Sequence, residues 1–131
     1  MKQLKLRWAN PEEAKQILEW LTRNPQNHFD PGILDYKTVQ VLCSYDGEPE
    51  CYMPIHRVLM MESIAPRPGA SELNIAQSLR DFTKACELVA SAQGIREIYF
   101  LGGDGKVGSM SLGGHGFEEL PLKVFRMKLD A

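Results

Sequence analysis

Between Lys2 and Trp8 the chain alternates, with Leu4, Leu6 and Trp8 set against lysine and arginine, which is the period of a half-buried strand. The pattern then switches to helical. Asn10 offers an N-cap, Pro11 suits the first helical position, and Glu12 and Glu13 sit beside the positive end of the helix dipole. Ala14, Ile17, Leu18 and Leu21 fall on one face, and Asn24-Pro25 ends the helix. Residues 26 to 37, with His28, Phe29, Asp30, Pro31 and Gly32, form a loop expected to hold a short helical turn.

Thr38 to Tyr45 and Glu50 to His56 read as two arms of a hairpin over Asp46-Gly47, and Pro54 marks the second arm as an edge or bulged strand. A tight two-residue turn sets Ser44 opposite Pro49 and Cys43 opposite Glu50, so Cys43 and Cys51 are not directly opposed. Arg57 to Ile64 is a further strand, and Ala65 to Ala70, with two prolines and a glycine, is a loop. Ser71 caps a long helix in which Ile75, Leu79, Phe82, Cys86 and Val89 recur at helical spacing, and Gly94 ends it. Arg96 to Leu101 is a strand. Seven of the 11 glycines lie from Gly102 to Gly116, so a helix there is short or bent, at a cost of about 1 kcal/mol per interior glycine. Lys123 to Leu129 alternates again and reads as a last strand. This order describes one α/β domain with helices packed on a sheet.

Composition narrows the function classes. At 131 residues the chain has room for one core, and 44% hydrophobic with 24% charged residues is ordinary for a globular domain. Net charge is -2 and the 15 Lys and Arg are scattered, which argues against nucleic acid as a partner. No apolar run approaches the roughly 20 residues of a membrane span, and the N-terminus lacks signal-peptide features, so no membrane association and a cytoplasmic location are expected. Three cysteines imply no disulfide framework and read as small buried hydrophobes. The three histidines and three cysteines lack metal-ligand spacing, so no metal is expected. Gly102 to Gly108 fails as a phosphate loop, because Val107 follows Lys106 where Ser or Thr is needed.

The strand Arg96 to Leu101 after a helix ending at Gly94, the glycine-rich stretch closing in His115-Gly116-Phe117, the final alternating segment, and Ile64-Ala65-Pro66 together resemble the GNAT acyltransferases. These enzymes move an acyl group from acyl-coenzyme A to an amine. The resemblance implies a GNAT-like fold, with a central mixed, mostly antiparallel twisted sheet flanked by helices, and acetyl-CoA as acyl donor. In that family the cofactor lies where the fourth strand and the following helix splay apart. The fourth strand maps to Arg57–Ile64, with Ser63 and Ile64 along the pantetheine arm, and Ile64-x-Pro66 is similar to the family's Val-x-Pro. The pyrophosphate is expected on Arg67 and the amides of Gly69, Ala70 and Ser71, at the N-terminus of the long helix.

The sequence departs from the family in two places. Arg67-Pro-Gly-Ala-Ser-Glu72 stands where the pyrophosphate signature Q/R-x-x-G-x-G/A is expected, with one glycine and an added carboxylate. Many members carry a tyrosine four residues before the Gly-Phe pair to protonate the leaving thiolate. Leu112 stands there, leaving Ser109, Ser111, His115 or water.

Transfer also needs a base, because a protonated amine has no lone pair. Glu62 is the first candidate, directly or through water, and His56, whose imidazole can accept a proton, is the second. Strand alternation puts Glu62 and Ile64 on one face, with Met61 and Ser63 on the other. Tyr99 is a candidate for positioning substrate, and His28 and Asp30 fall in the region that lines the acceptor site in the family. Two functions follow. One is an acetyl-CoA-dependent N-acetyltransferase acting on a primary amine of a small molecule or peptide in a ternary complex. The other is a degenerate member kept as a binding or dimerisation module; family members are often dimers, so the resemblance admits a homodimer and leaves the oligomeric state open.

Overall fold

Alternation at the N-terminus becomes β1 (Lys5–Trp8), which pairs antiparallel with β2 (Gln40–Asp46). β2 in turn pairs antiparallel with β3 (Glu48–Ile55). The computed structural model describes residues 3–23, 29–101 and 116–130. The β2–β3 hairpin closes over Gly47 alone, at φ +75°, and its register shifts between Ser44 and Tyr45. Ser44 therefore faces Cys51 and Cys43 faces Tyr52, not the partners a regular two-residue turn dictates. Cys43 and Cys51 are still not directly opposed, and alternation puts them on opposite faces of the sheet. Cys43 is buried, but Cys51 is exposed, which corrects the expectation that all three cysteines are buried.

Asn10 N–H donates to Glu13 Oε1 at 2.9 Å, and a 3-10 turn over Pro11–Glu13 leads into α1 (Ala14–Thr22). α1 packs on the sheet through buried Ile17 and through Trp20, whose ring centroid lies 5.1 Å from that of Tyr52. The loop after α1 holds the expected helical turn, Pro31–Asp35, with Asp30 Oδ1 accepting from Gly32 N–H at 2.9 Å. The helix ending expected at Asn24-Pro25 lies outside the described residues.

The two faces of this sheet differ in chemistry. Alternation sends Lys5, Arg7, Cys43 and Tyr52 to one face and Leu6, Trp8, Leu42, Ser44, Cys51 and Met53 to the other. The first face meets α1, and Arg7 on it is paired with Glu13. The second is apolar away from the turn, where Asp46 pairs with Glu48, and Leu6, Trp8 and Met53 on it are exposed.

β4 (Leu59–Met61) and β5 (Ile98–Phe100) form a separate parallel pair, joined by α2 (Glu72–Ala92) as the crossover. Ser71 caps α2, and Gly94 follows it at φ +72°. Leu79 and Ala90 bury one stripe of α2, and Thr83 joins them by donating its hydroxyl to Leu79 O at 2.8 Å.

The architecture is thus mixed α/β, with a small three-stranded antiparallel sheet, a parallel pair and two α-helices among the described residues. The single central sheet expected from sequence is divided in two. Pro54 has no N–H to offer a further strand beyond β3, and β4 pairs with β5 instead. The strand expected over Arg57–Ile64 is only three residues long, the stretch that β5 matches. Lys123 to Leu129 is not a strand: no ladder partner meets it among the described residues, and Leu129 is 80% exposed. Phe117 nonetheless lies against Phe100, with ring centroids 6.1 Å apart. No helix among the described residues is long and apolar enough to cross a membrane. The glycine-rich segment 102–115, with Ser109, Ser111, Leu112 and His115, lies outside the described residues.

Candidate functional site

Leu101 N–H donates to Met61 O at 3.1 Å, and past this bond the chain after β4 leaves β5. Ile64 to Arg67 then runs beside α2 and bounds an open groove of about 210 Å³. Asn74, Ile75, Ser78 and Phe82 form the helical wall.

The turn into α2 is built from local chemistry. Gly69 adopts φ +82°, and Ala70 N–H donates to Arg67 O at 2.9 Å. Ser71 Oγ accepts from Asn74 N–H at 3.1 Å, and Ser71 O accepts from Ile75 N–H at 3.0 Å. One end of the groove therefore combines Arg67 with the positive end of the α2 dipole. Its sides are apolar at Ile64, Pro66, Ile75 and Phe82.

Of the residues expected to hold a cofactor, Ile64, Arg67 and Ala70 line this groove. Gly69 shapes the turn and Ser71 caps the helix, so the Ser71 hydroxyl and the Ala70 amide already have partners within the protein. Glu62 and Ser63 follow β4 directly, are exposed, and stand outside the groove lining. His56 lies just before β4, whereas Glu62 lies just after it. The structure does not bring the two candidate bases together.

His56 belongs instead to a cluster that the sequence did not reveal. Its Nε2 is buried 3.4 Å from Glu97 Oε1, too poorly placed for a hydrogen bond, and makes none among the described residues. Glu97 accepts from Tyr36 Oη at 2.9 Å and from Tyr99 Oη at 3.2 Å, while the Arg96 guanidinium lies 5.8 Å from the Tyr36 ring centroid. The hydrogen bond to Glu97 raises the Tyr36 hydroxyl above its ordinary pKa, and burial is the main cause of a like rise at Tyr99. Tyr99, expected to position substrate, is committed to this carboxylate. Asp30 caps its own turn, and His28 lies outside the described residues.

A second network ties β1, α1 and β3 together. Arg7 Nη1 and Nη2 meet Glu13 Oε1 and Oε2 at 2.6 and 3.1 Å, a bidentate pair. Tyr52 Oη donates to Glu13 Oε2, and Gln16 Nε2 donates to Tyr52 Oη at 3.1 Å. The Arg7 hydrogen bond is the largest reason that the Glu13 carboxyl falls to about 2. Burial, and then Glu13, push the Tyr52 hydroxyl up to about 12, and burial raises the Cys43 thiol. Glu13 beside the start of the helix was legible in the sequence, but its partners across the sheet were not.

A larger groove, about 390 Å³, opens beside Trp8, Asn10, Ile17, Leu34 and Val41. Its lining carries no charged side chain, so it offers no base for proton transfer. No group of three or more His, Cys, Asp or Glu suited to a metal ion occurs among the described residues. Compared with known proteins, the chain matches no family model and no curated sequence.

Proposed function

We propose that this chain has a divergent GNAT-like fold and works as an acetyl-CoA-dependent N-acetyltransferase on a primary amine. The observation that carries the reading is the groove between the departing end of β4 and the N-terminal half of α2, set on a parallel β4–α2–β5 unit. Arg67 and the helix dipole suit a pyrophosphate at one end, and the chain at Ile64 and Ala65 offers backbone groups to an extended pantetheine arm.

In this reading the neutral amine attacks the thioester carbonyl, and backbone N–H groups near the end of β4 stabilise the oxyanion. The C–S bond then breaks and the amide forms. Glu62, or a water it holds, takes the amine proton, and the departing thiolate is protonated to give free coenzyme A. The acceptor is a small-molecule or peptide amine.

Thermal stability with acetyl-CoA, followed by thiol release over a panel of amines, tests the proposal. Ligand at 100 times its dissociation constant adds about 2.7 kcal/mol, several degrees for a domain of this size. Thiol release that is lost in Glu62→Gln supports the enzyme and its base. An unchanged rate removes Glu62 from that role, and no stabilisation at millimolar acetyl-CoA overturns the cofactor site.

A second reading, a binding or dimerisation module without turnover, is favoured by two observations. Glu62 is outside the groove lining, and one face of the antiparallel sheet exposes the apolar side chains of Leu6, Trp8 and Met53. An isologous contact sets a surface against itself, and the exposed apolar stretch of Leu6, Trp8 and Met53 suits such a contact. Cofactor binding without thiol release, in a protein that sediments as a dimer, would favour this reading.

A further inference from the structure

We infer that Phe82 is the base-stacking wall of a nucleoside-diphosphate subsite in the α2 groove. This rests on the reading of the groove as the cofactor site and adds which part of the cofactor lies along the helix. Asn74, Ser78 and Phe82 are each four residues apart, so they share one face of α2 and form a lane roughly 12 Å long. Arg67 stands at its start and Phe82 at its far end. Leu79 and Thr83 flank Phe82 in sequence and are buried, yet Phe82 is 52% exposed. Its ring therefore borders the core and turns an open surface to the groove.

The order of groups along the lane selects the ligand. A cation comes first, then two small polar side chains, then an aromatic ring. A nucleoside diphosphate has the complementary order of anionic phosphates, ribose hydroxyls and a flat base. Ser78 Oγ donates to Asn74 O at 2.8 Å and keeps lone pairs to accept from a ribose hydroxyl, and the Asn74 amide can both donate and accept. An aliphatic acyl chain in the same place would cover Asn74 and Ser78 without giving them partners. Glu72, at the start of α2, stands outside the lining.

Titration calorimetry of the whole chain with ADP, coenzyme A and 4′-phosphopantetheine tests this, using wild type, Phe82→Ala, Phe82→Leu and Phe82→Tyr. Wild type is expected to bind ADP. Phe82→Ala and Phe82→Leu should weaken ADP and coenzyme A at least about fivefold, the lower end of what loss of a stacking ring costs, and Phe82→Tyr should keep both. Phosphopantetheine, which has no base, should bind all four proteins alike. ADP binding that is absent in wild type, or equal in wild type and Phe82→Leu, overturns the inference. So does equal weakening of phosphopantetheine. ADP bound in a Phe82-dependent way without any binding of coenzyme A would sink the acyltransferase reading alone.

Discussion

Tyr52 donates its hydroxyl hydrogen to Glu13 Oε2, joining the outer strand of the antiparallel sheet to the residue just before α1. With Arg7 on the same carboxylate, three elements meet at one side chain. Glu13 in the folded protein titrates at about 2, below its ordinary value of 4.5, so its contribution is present above about pH 4.5 and is lost as pH falls toward 2. We expect the melting temperature of wild type to drop through this window more steeply than that of Glu13→Gln, as measured by circular dichroism. Parallel curves would show that the pair does not couple to folding.

The tyrosine predicts the opposite limb. Its folded value of about 12 exceeds the ordinary 10, so the unfolded chain loses this proton first and stability falls as pH rises from 10 to 12. Tyr52→Phe should remove that alkaline component. At neutral pH it should cost about 1.5–3 kcal/mol, the range for a hydrogen bond to a charged group, with the Trp20 ring contact kept. A neutral-pH urea midpoint equal to wild type would count against the network.

Leu79 is fully buried on α2, and its truncation to alanine should cost about 2–5 kcal/mol in urea unfolding. The hydroxyl of Thr83 depends on the Leu79 carbonyl, not on its side chain, so that bond should survive. A loss below 1 kcal/mol would mean that the stripe is less closely packed than its burial indicates.

Ser71→Ala removes the acceptor for Asn74 N–H and should cost about 1 kcal/mol. Gly69→Ala should cost about 1–2 kcal/mol through its left-handed backbone alone, since an added Cβ meets no atom within 4 Å. If the groove holds a cofactor, Gly69→Ala should also weaken its binding, because the turn sets the position of Arg67. Calorimetry alongside the urea curves separates the two effects.

What was legible in the sequence was local. Asn10, Ser71, Gly47 and Gly94 announced caps and turns whose geometry involves a few neighbouring residues, and the structure has them there. The division into two sheets was not legible, because it depends on which distant strand β4 meets. The alternation from Lys123 to Leu129 was also misleading, since a periodic pattern states a strand's preference and not the presence of a partner. In the groove, Ile64, Arg67 and Ala70 followed from the resemblance, and the structure sets all three in its lining. Phe82 did not, because helical spacing marks a face without saying how far the core extends around it. Glu97 gave no local sign at all: its partners Tyr36 and His56 arrive from other parts of the chain.

The parallel pair has a consequence for how the molecule assembles. β2 and β3 close over Gly47, whereas Leu59 must find Ile98 across a loop that includes all of α2. Loop-closure entropy rises with that separation, so the hairpin can nucleate early while the β4–β5 junction forms late. The same order applies in reverse to local opening, and amide protons at Leu101 and Leu59 should exchange before those within β2. A ligand seated between Arg67 and Phe82 would then act as a clasp on the last-formed part of the chain.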